Sequence, residues 1–223
     1  ISSWPWDWAK PTQALMHNGS ISTVGLFVVY IIIIVFSLLN YWSVKLLTSF
    51  TSLISVFKLG VPLLTIIMLT ISGFDSGNYG HSLNTFMPYG SAPIFAATTT
   101  SGIIFSFNAF QTIINMGSEI KNPEKNIARG IGISLILSAI LYIILQSTFI
   151  TSMPQSMIHS HGWHGINFNS PFADMAILLS INWLAILLYI EAVVSPFGTG
   201  VSFVAITGRV LSAMEKNGHI PKF

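Results

Sequence analysis

The chain has 223 residues and a formal net charge of +2, and 52% of its residues are hydrophobic and 7% charged, where an ordinary soluble domain carries about 25% charged residues. With a mean hydropathy of +0.71 it would not stay dissolved in water, and so small a net charge leaves no electrostatic footprint for nucleic acid. Cysteine is absent, which excludes disulfides and thiolate metal sites.

The chain starts at Ile1 without an initiator Met, a basic n-region or a signal-peptide pattern, and so reads as an internal piece of a polytopic protein. Its length fits about five spans of roughly 20 residues each. The first is predicted at about 24–39, whose Ile31-Ile-Ile-Ile-Val35 centre has no polar group. A second, about 50–71, carries Lys58 inside it. The third, about 94–116, is interrupted near 106–110 by Ser106-Phe107-Asn108-Ala109-Phe110. A fourth runs over about 131–150 and the last over about 181–206, after an amphipathic approach from Phe172. Ile and Val lean weakly toward strand, but runs this long and apolar exclude a soluble sheet. In lipid every backbone group must pair within its own segment, which selects helix. The expectation is an all-α integral membrane protein.

The interruption in the third span is the most informative feature. A helix that only anchors a protein has no use for an amide and a hydroxyl at mid-depth. A break frees backbone N–H and C=O groups, which persist in a bilayer only where they line a protein-enclosed cavity. In transporters that cavity is the substrate site. Asn108 offers two donors and an acceptor, Ser106 a hydroxyl, and the second half-helix, starting near Phe110, a positive end that favours an anion. The plainer alternative is a Ser and an Asn bonding to a neighbouring helix, with the phenylalanines facing lipid.

Orientation follows from Lys and Arg. Lys45, Lys121, Lys125, Arg129, Arg209, Lys216 and Lys222 fall on one side and only Lys10 on the other, which places 40–49, 117–130 and 207–223 in the cytoplasm. Trp4, Trp6, Trp8, Tyr79, Tyr89 and Trp163 then fall in the outer connections, as interfacial aromatics do. His159, His161 and His164 lie on a short outer loop with the donor type for a metal. Lacking acidic neighbours, such histidines are more often simply solvated.

Lys58 costs about 2.5–3.5 kcal/mol at mid-span on insertion scales, unless it snorkels to an interface. Counting helical rise from the cytoplasmic ends puts it level with Ser195 to Thr199, where hydroxyls and the backbone loosened around Pro196 and Gly198 are available. Glu191, the other charge at membrane depth, lies about two turns further outward. It reads equally as a proton relay, a counter-charge for a cationic substrate, or a neutral carboxyl bonded to a neighbouring helix. The cluster from Glu119 to Arg129 holds topology as charged loops do. Glu119 and Arg209 are a candidate inner-gate pair, although a surface pair contributes only about 0–1 kcal/mol.

These residues also carry a family resemblance. Phe105-Ser-Phe-Asn-Ala-Phe110 followed by Glu119-Ile-Lys-Asn-Pro123 and Asn126-Ile-Ala-Arg-Gly130 resembles the sixth helix and following loop of amino acid permeases of the amino acid, polyamine and organocation superfamily. Thr207-Gly-Arg-Val-Leu-Ser-Ala-Met-Glu-Lys-Asn-Gly-His-Ile-Pro221 is similar to the loop after their eighth helix, and Ser55-Val-Phe-Lys-Leu59 to their fifth. The resemblance implies helices four to eight of a transporter with an inverted five-helix repeat and an interrupted sixth helix. It implies substrate binding at Phe105, Ser106, Phe107, Asn108, Ala109 and Phe110. There the backbone of the first and sixth helices takes the amino acid's charged groups, and the phenylalanines form a lid or wall.

In sodium-coupled relatives of this fold an ion sits between the first, fifth and eighth helices, and in the proton-coupled branch that the chain resembles a lysine amine stands there. The implied coupling set is Lys58, Ser195, Thr199 and Glu191. The implied activity is sodium-independent, proton-coupled amino acid transport in a multi-pass cell-membrane protein, with amino acid exchange as the alternative. A receptor or membrane enzyme fits less well, because no nucleophile at membrane depth has a histidine base. The expected partners are an amino acid, protons, the bilayer and the remaining helices of the transporter, with no cofactor, no metal and no nucleic acid. Many members have Gly where Ala109 stands, an acidic residue where Gln111 stands and Pro where Ala128 stands, departures that bear on the substrate more than on the fold.

Overall fold

The computed structural model describes residues 7–17, 20–42, 44–87, 89–100, 103–108, 110–115, 117 and 120–221. The helices in chain order are α1 (Thr23–Trp42), α2 (Val44–Ser72), α3 (Leu83–Phe86), α4 (Ala92–Thr100), α5 (Phe110–Asn115), α6 (Pro123–Ser152), α7 (Gln155–Gly165), α8 (Pro171–Leu178) and α9 (Asn182–Lys216). Four of them, α1, α2, α6 and α9, are long and apolar enough to cross a membrane. The chain packs as two units, Ile1–Leu59 with Tyr189–Phe223 and Gly60–Leu188, so α2 and α9 each supply residues to both.

The first unit opens with a 3₁₀ segment, Asp7–Leu15, and a short antiparallel hairpin, β1 (Met16–His17) and β2 (Ser20–Ile21), with Met16 opposite Ile21. Helix α1 begins where the Ser22 hydroxyl accepts from the Gly25 N–H at 3.1 Å, an N-cap that satisfies one of the four orphan donors. Its 20 residues carry no charge and rise about 30 Å, the depth of a bilayer core. The middle of α9 packs on it and on α2 through small residues. A Cβ on Gly200 would stand 2.7 Å from the Phe36 ring and one on Gly198 2.6 Å from Ile54. Phe36 also meets Phe197 edge to face at 5.6 Å. Small residues at such contacts let backbones approach closely where no hydrophobic force drives helices together.

The second unit is organised around the C-terminal ends of α2 and α6. Val61, Thr65 and Leu69 form one buried stripe of α2 at helical spacing. The Ser152 hydroxyl at the end of α6 donates to the Leu69 carbonyl at 3.1 Å. The loop after α2 then closes over α6: the Asn78 amide donates to the carbonyls of Ile150 and Met153, each at 2.9 Å, and of Thr151 at 3.4 Å. Those are the orphan acceptors that every helix C-terminus leaves. Helix α8 ends in a left-handed turn at Ser180 (φ 60°). There Ile181 N–H bonds to Ala176 C=O at 2.7 Å and Ser180 N–H to Ile177 C=O at 2.9 Å, a Schellman closure that turns the chain into α9.

The helices outrun the apolar windows read from sequence. Lys125 and Arg129 lie in the first two turns of α6, and α9 continues to Lys216, where a loop was expected after the last span. At 35 residues α9 is about 52 Å long, well beyond a bilayer core. Hydropathy marks the part of a helix that suits lipid and is blind to turns that continue into water. The three histidines of this stretch are likewise helical: His159, His161 and His164 lie within α7, which kinks at Gly162 (φ 62°), and not on a loop.

Candidate functional site

The stretch around 94–116 is not one continuous α-helix. Helix α4 ends at Thr100, a 3₁₀ turn covers Ile104–Phe107, and α5 begins at Phe110. Within the turn Ser106 N–H donates to Ile103 C=O and Asn108 N–H to Phe105 C=O, both at 3.2 Å. These are i→i−3 bonds, so the α-helical i→i−4 ladder is interrupted here. Phe105 is 72% exposed and Ser106 and Asn108 are exposed, whereas Phe107 is half-buried. Phe110 is the first residue of α5. Ala109 lies outside the described residues.

A residue that sequence reasoning missed stands over this turn. The Tyr142 hydroxyl on α6 donates to the Ser106 carbonyl at 3.4 Å, and its ring meets Phe107 edge to face at 5.5 Å. The available signal was a tyrosine in the middle of an otherwise aliphatic run, since a phenolic hydroxyl at membrane depth needs a partner. Gln146, one turn further along α6, is the next polar residue. It lines two adjoining cavities of about 340 and 380 Å³ that share Gln146, Phe149 and Trp163.

In the first unit the Lys58 ammonium donates to the Thr199 hydroxyl at 2.6 Å, and that hydroxyl donates to the Ser195 carbonyl at 3.1 Å. Three residues of the implied coupling set are therefore in register. Two prolines loosen the backbone nearby. Pro62 has no N–H for the carbonyl of Lys58 itself, and Pro196 none for that of Ala192. Asn40 of α1 donates to the Val201 carbonyl at 3.3 Å, tying α1 to the same stretch of α9. Glu191 is half-buried and stands one turn before Ser195 on α9. No other Asp, Glu, Lys or Arg occurs in α1, in residues 51–59 or in residues 189–208.

Glu119 lies outside the described residues, so the inner-gate pair is not seen as a pair. Arg209 sits on α9 and is engaged by a partner of its own. His161 Nδ1 shares a hydrogen bond with the Ser160 hydroxyl at 2.6 Å, and the His164 ring packs on Tyr89 at 4.7 Å. Among the described residues no three His, Asp or Glu side chains gather as metal ligands would.

Asp75, outside the spans, accepts from Gln155 Nε2 at 3.0 Å and from Gly77 N–H at 2.8 Å. First the Gln155 bond, then the Gly77 bond, with His81 nearby, hold its carboxyl below the usual carboxylate range. Gln155 also donates to Asn78 Oδ1 at 2.6 Å. The loop that caps α6 is thus tied to the start of α7.

Residues 11–223 match the family model described as amino acid permease. The chain is 46% identical over 223 residues to the glutamate/serine transporter AimA of Bacillus subtilis, covering 99% of this chain and 41% of that protein. It is 36% identical over 210 residues to the aspartate-proton symporter of the same organism, covering 93% of this chain and 40% of that one. A branched-chain amino acid permease, BcaP, is 25% identical over 194 residues, 86% of this chain and 38% of its own length. The chain therefore spans about two-fifths of the length of these relatives. No solved structure matches it.

Proposed function

This chain belongs to the amino acid permease family, and from that premise we propose that it forms helices four to eight of a sodium-independent, proton-coupled amino acid carrier with the inverted five-helix repeat. It is a membrane transporter component and not an enzyme. In this reading residues 40–49, 117–130 and 207–223 face the cytoplasm of a multi-pass cell-membrane protein. The unwound stretch Phe105–Phe110 takes the amino acid, with its freed backbone and Asn108 binding the charged groups. Two relatives reported above, a glutamate/serine transporter and an aspartate-proton symporter, favour an acidic or small polar substrate.

The observation that carries the coupling is the 2.6 Å contact from Lys58 to Thr199. An ammonium inserted at membrane depth costs about 2.5–3.5 kcal/mol and is retained where it has work to do. Here it reaches a hydroxyl and a loosened backbone, ligands of the kind an alkali ion would use. A proton on that amine supplies the positive charge that sodium would otherwise bring, and losing the proton removes the charge and one donor. In this reading Glu191 belongs to the same coupling set.

The test uses the whole carrier in proteoliposomes. Lys58→Ala is expected to abolish accumulation driven by a pH gradient while amino acid counterflow continues. PH-driven uptake at the wild-type rate in Lys58→Ala would overturn the coupling. Strict dependence of wild-type uptake on external sodium would overturn sodium independence, and absence of amino acid uptake by the wild-type carrier would overturn the reading as a whole.

A further inference from the structure

We propose that Tyr142 is a positioning and selectivity residue of the substrate site: its hydroxyl holds a carbonyl of the unwound turn, and its ring sets the wall that Phe107 presents to the substrate side chain. The inference rests on reading residues 105–110 as that site. Two separate observations support it, the Tyr142 hydroxyl at 3.4 Å from the Ser106 carbonyl and the edge-to-face contact with Phe107 at 5.5 Å.

Helical rise places Tyr142 about 17 Å above the start of the apolar run at residue 131, near mid-depth. An unwound turn at that depth survives only if its carbonyls find donors. Ile103 and Phe105 carbonyls are occupied within the turn itself, whereas the Ser106 carbonyl takes its donor from another helix. The donor is on α6 and not on the broken segment, so it fixes the turn relative to a long rigid helix. Tyr142 is 41% exposed and so is not a core-filling side chain. Its ring lies against the half-buried phenylalanine of the Phe105, Phe107, Phe110 set.

Ring and hydroxyl have separable consequences. The backbone turn meets the ammonium and carboxylate that every amino acid carries, so loosening it weakens all substrates alike. The Phe107 wall meets the part in which amino acids differ, so releasing it changes their ranking.

Tyr142→Phe and Tyr142→Leu in the whole carrier, assayed for uptake of a series of amino acids of increasing side-chain size, separate the two. Tyr142→Phe is expected to raise KM about threefold, the effect of one long neutral hydrogen bond, by the same factor for every substrate and with little change in maximal rate. Tyr142→Leu is expected to add a shift in relative kcat/KM toward bulkier side chains. Wild-type KM values in Tyr142→Phe overturn the proposal, as does a uniform fall in maximal rate in both variants with KM and ranking unchanged. Asn108→Ala keeps the two levels apart. If it impairs uptake while Tyr142→Phe does not, the inference alone fails; if it leaves uptake intact, the site reading beneath it fails.

Discussion

Replacing Gly198 with alanine places a methyl group where Ile54 already stands. The new Cβ would lie 2.6 Å from Ile54 Cγ2, 2.9 Å from Cδ1 and 3.3 Å from Cβ, against an ordinary carbon–carbon separation of about 3.5–4.0 Å. Ile54 is 3% exposed, and because it is β-branched a rotamer change only exchanges one branch for the other. The backbones of α2 and α9 must therefore part by about 1 Å, and overpacking of this kind costs about 1–3 kcal/mol.

The next residue is Thr199, whose hydroxyl accepts a hydrogen bond from the Lys58 ammonium at 2.6 Å. A further 1 Å takes that contact past hydrogen-bond range. Gly198→Ala is expected to lower the thermal stability of the detergent-solubilised carrier and to reduce pH-driven uptake with it. Ile54→Ala removes Cγ2 and Cδ1, so the double variant should recover part of both losses. A double-mutant cycle should show coupling of at least about 0.5 kcal/mol, as expected for residues in contact. Wild-type stability and uptake in Gly198→Ala, or strictly additive losses in the pair, would refute the reasoning.

Two further predictions concern the loop after α2. Asn78→Ala removes the amide that donates to the Ile150, Thr151 and Met153 carbonyls and should destabilise the C-terminal end of α6 by about 1–3 kcal/mol; thermal unfolding and faster amide exchange around 150–155 would check it, and unchanged exchange would contradict it. The Asp75 carboxyl is held below its usual range, chiefly by Gln155 and then by Gly77, so its contribution is fully present above the unfolded value near pH 4 and is lost as pH falls through the lower folded value. Amide exchange at Gly77 should be independent of this group above about pH 4 and accelerate below it, and Asp75→Asn should abolish that acid-dependent step.

Much of the candidate site could be read locally. Ser106 and Asn108 within an apolar run mark a broken helix because lipid tolerates no idle polar group, and the 3₁₀ turn at Ile104–Phe107 falls there. Counting helical rise put Lys58 level with Ser195 to Thr199, and the amine reaches Thr199. Rise along a helix is fixed at about 1.5 Å per residue, so depth follows from sequence whenever both ends are visible. Helix ends were less legible, since charged turns at Pro123 and beyond residue 206 read as loop although the backbone stays helical.

The amino-acid sequence by itself determined the class of solvent, the helical answer to it and the family, because each follows from composition and from patterns confined to a few turns. Tertiary structure alone decided which partners meet. Tyr142 lies 36 positions from the Ser106 carbonyl it serves, and Asn78 lies 72 to 75 positions from the carbonyls it caps. Such pairings depend on how helices are rotated and how closely they approach, and that is set by the packing of small residues such as Gly73 against Leu179, which no periodicity along a single helix contains.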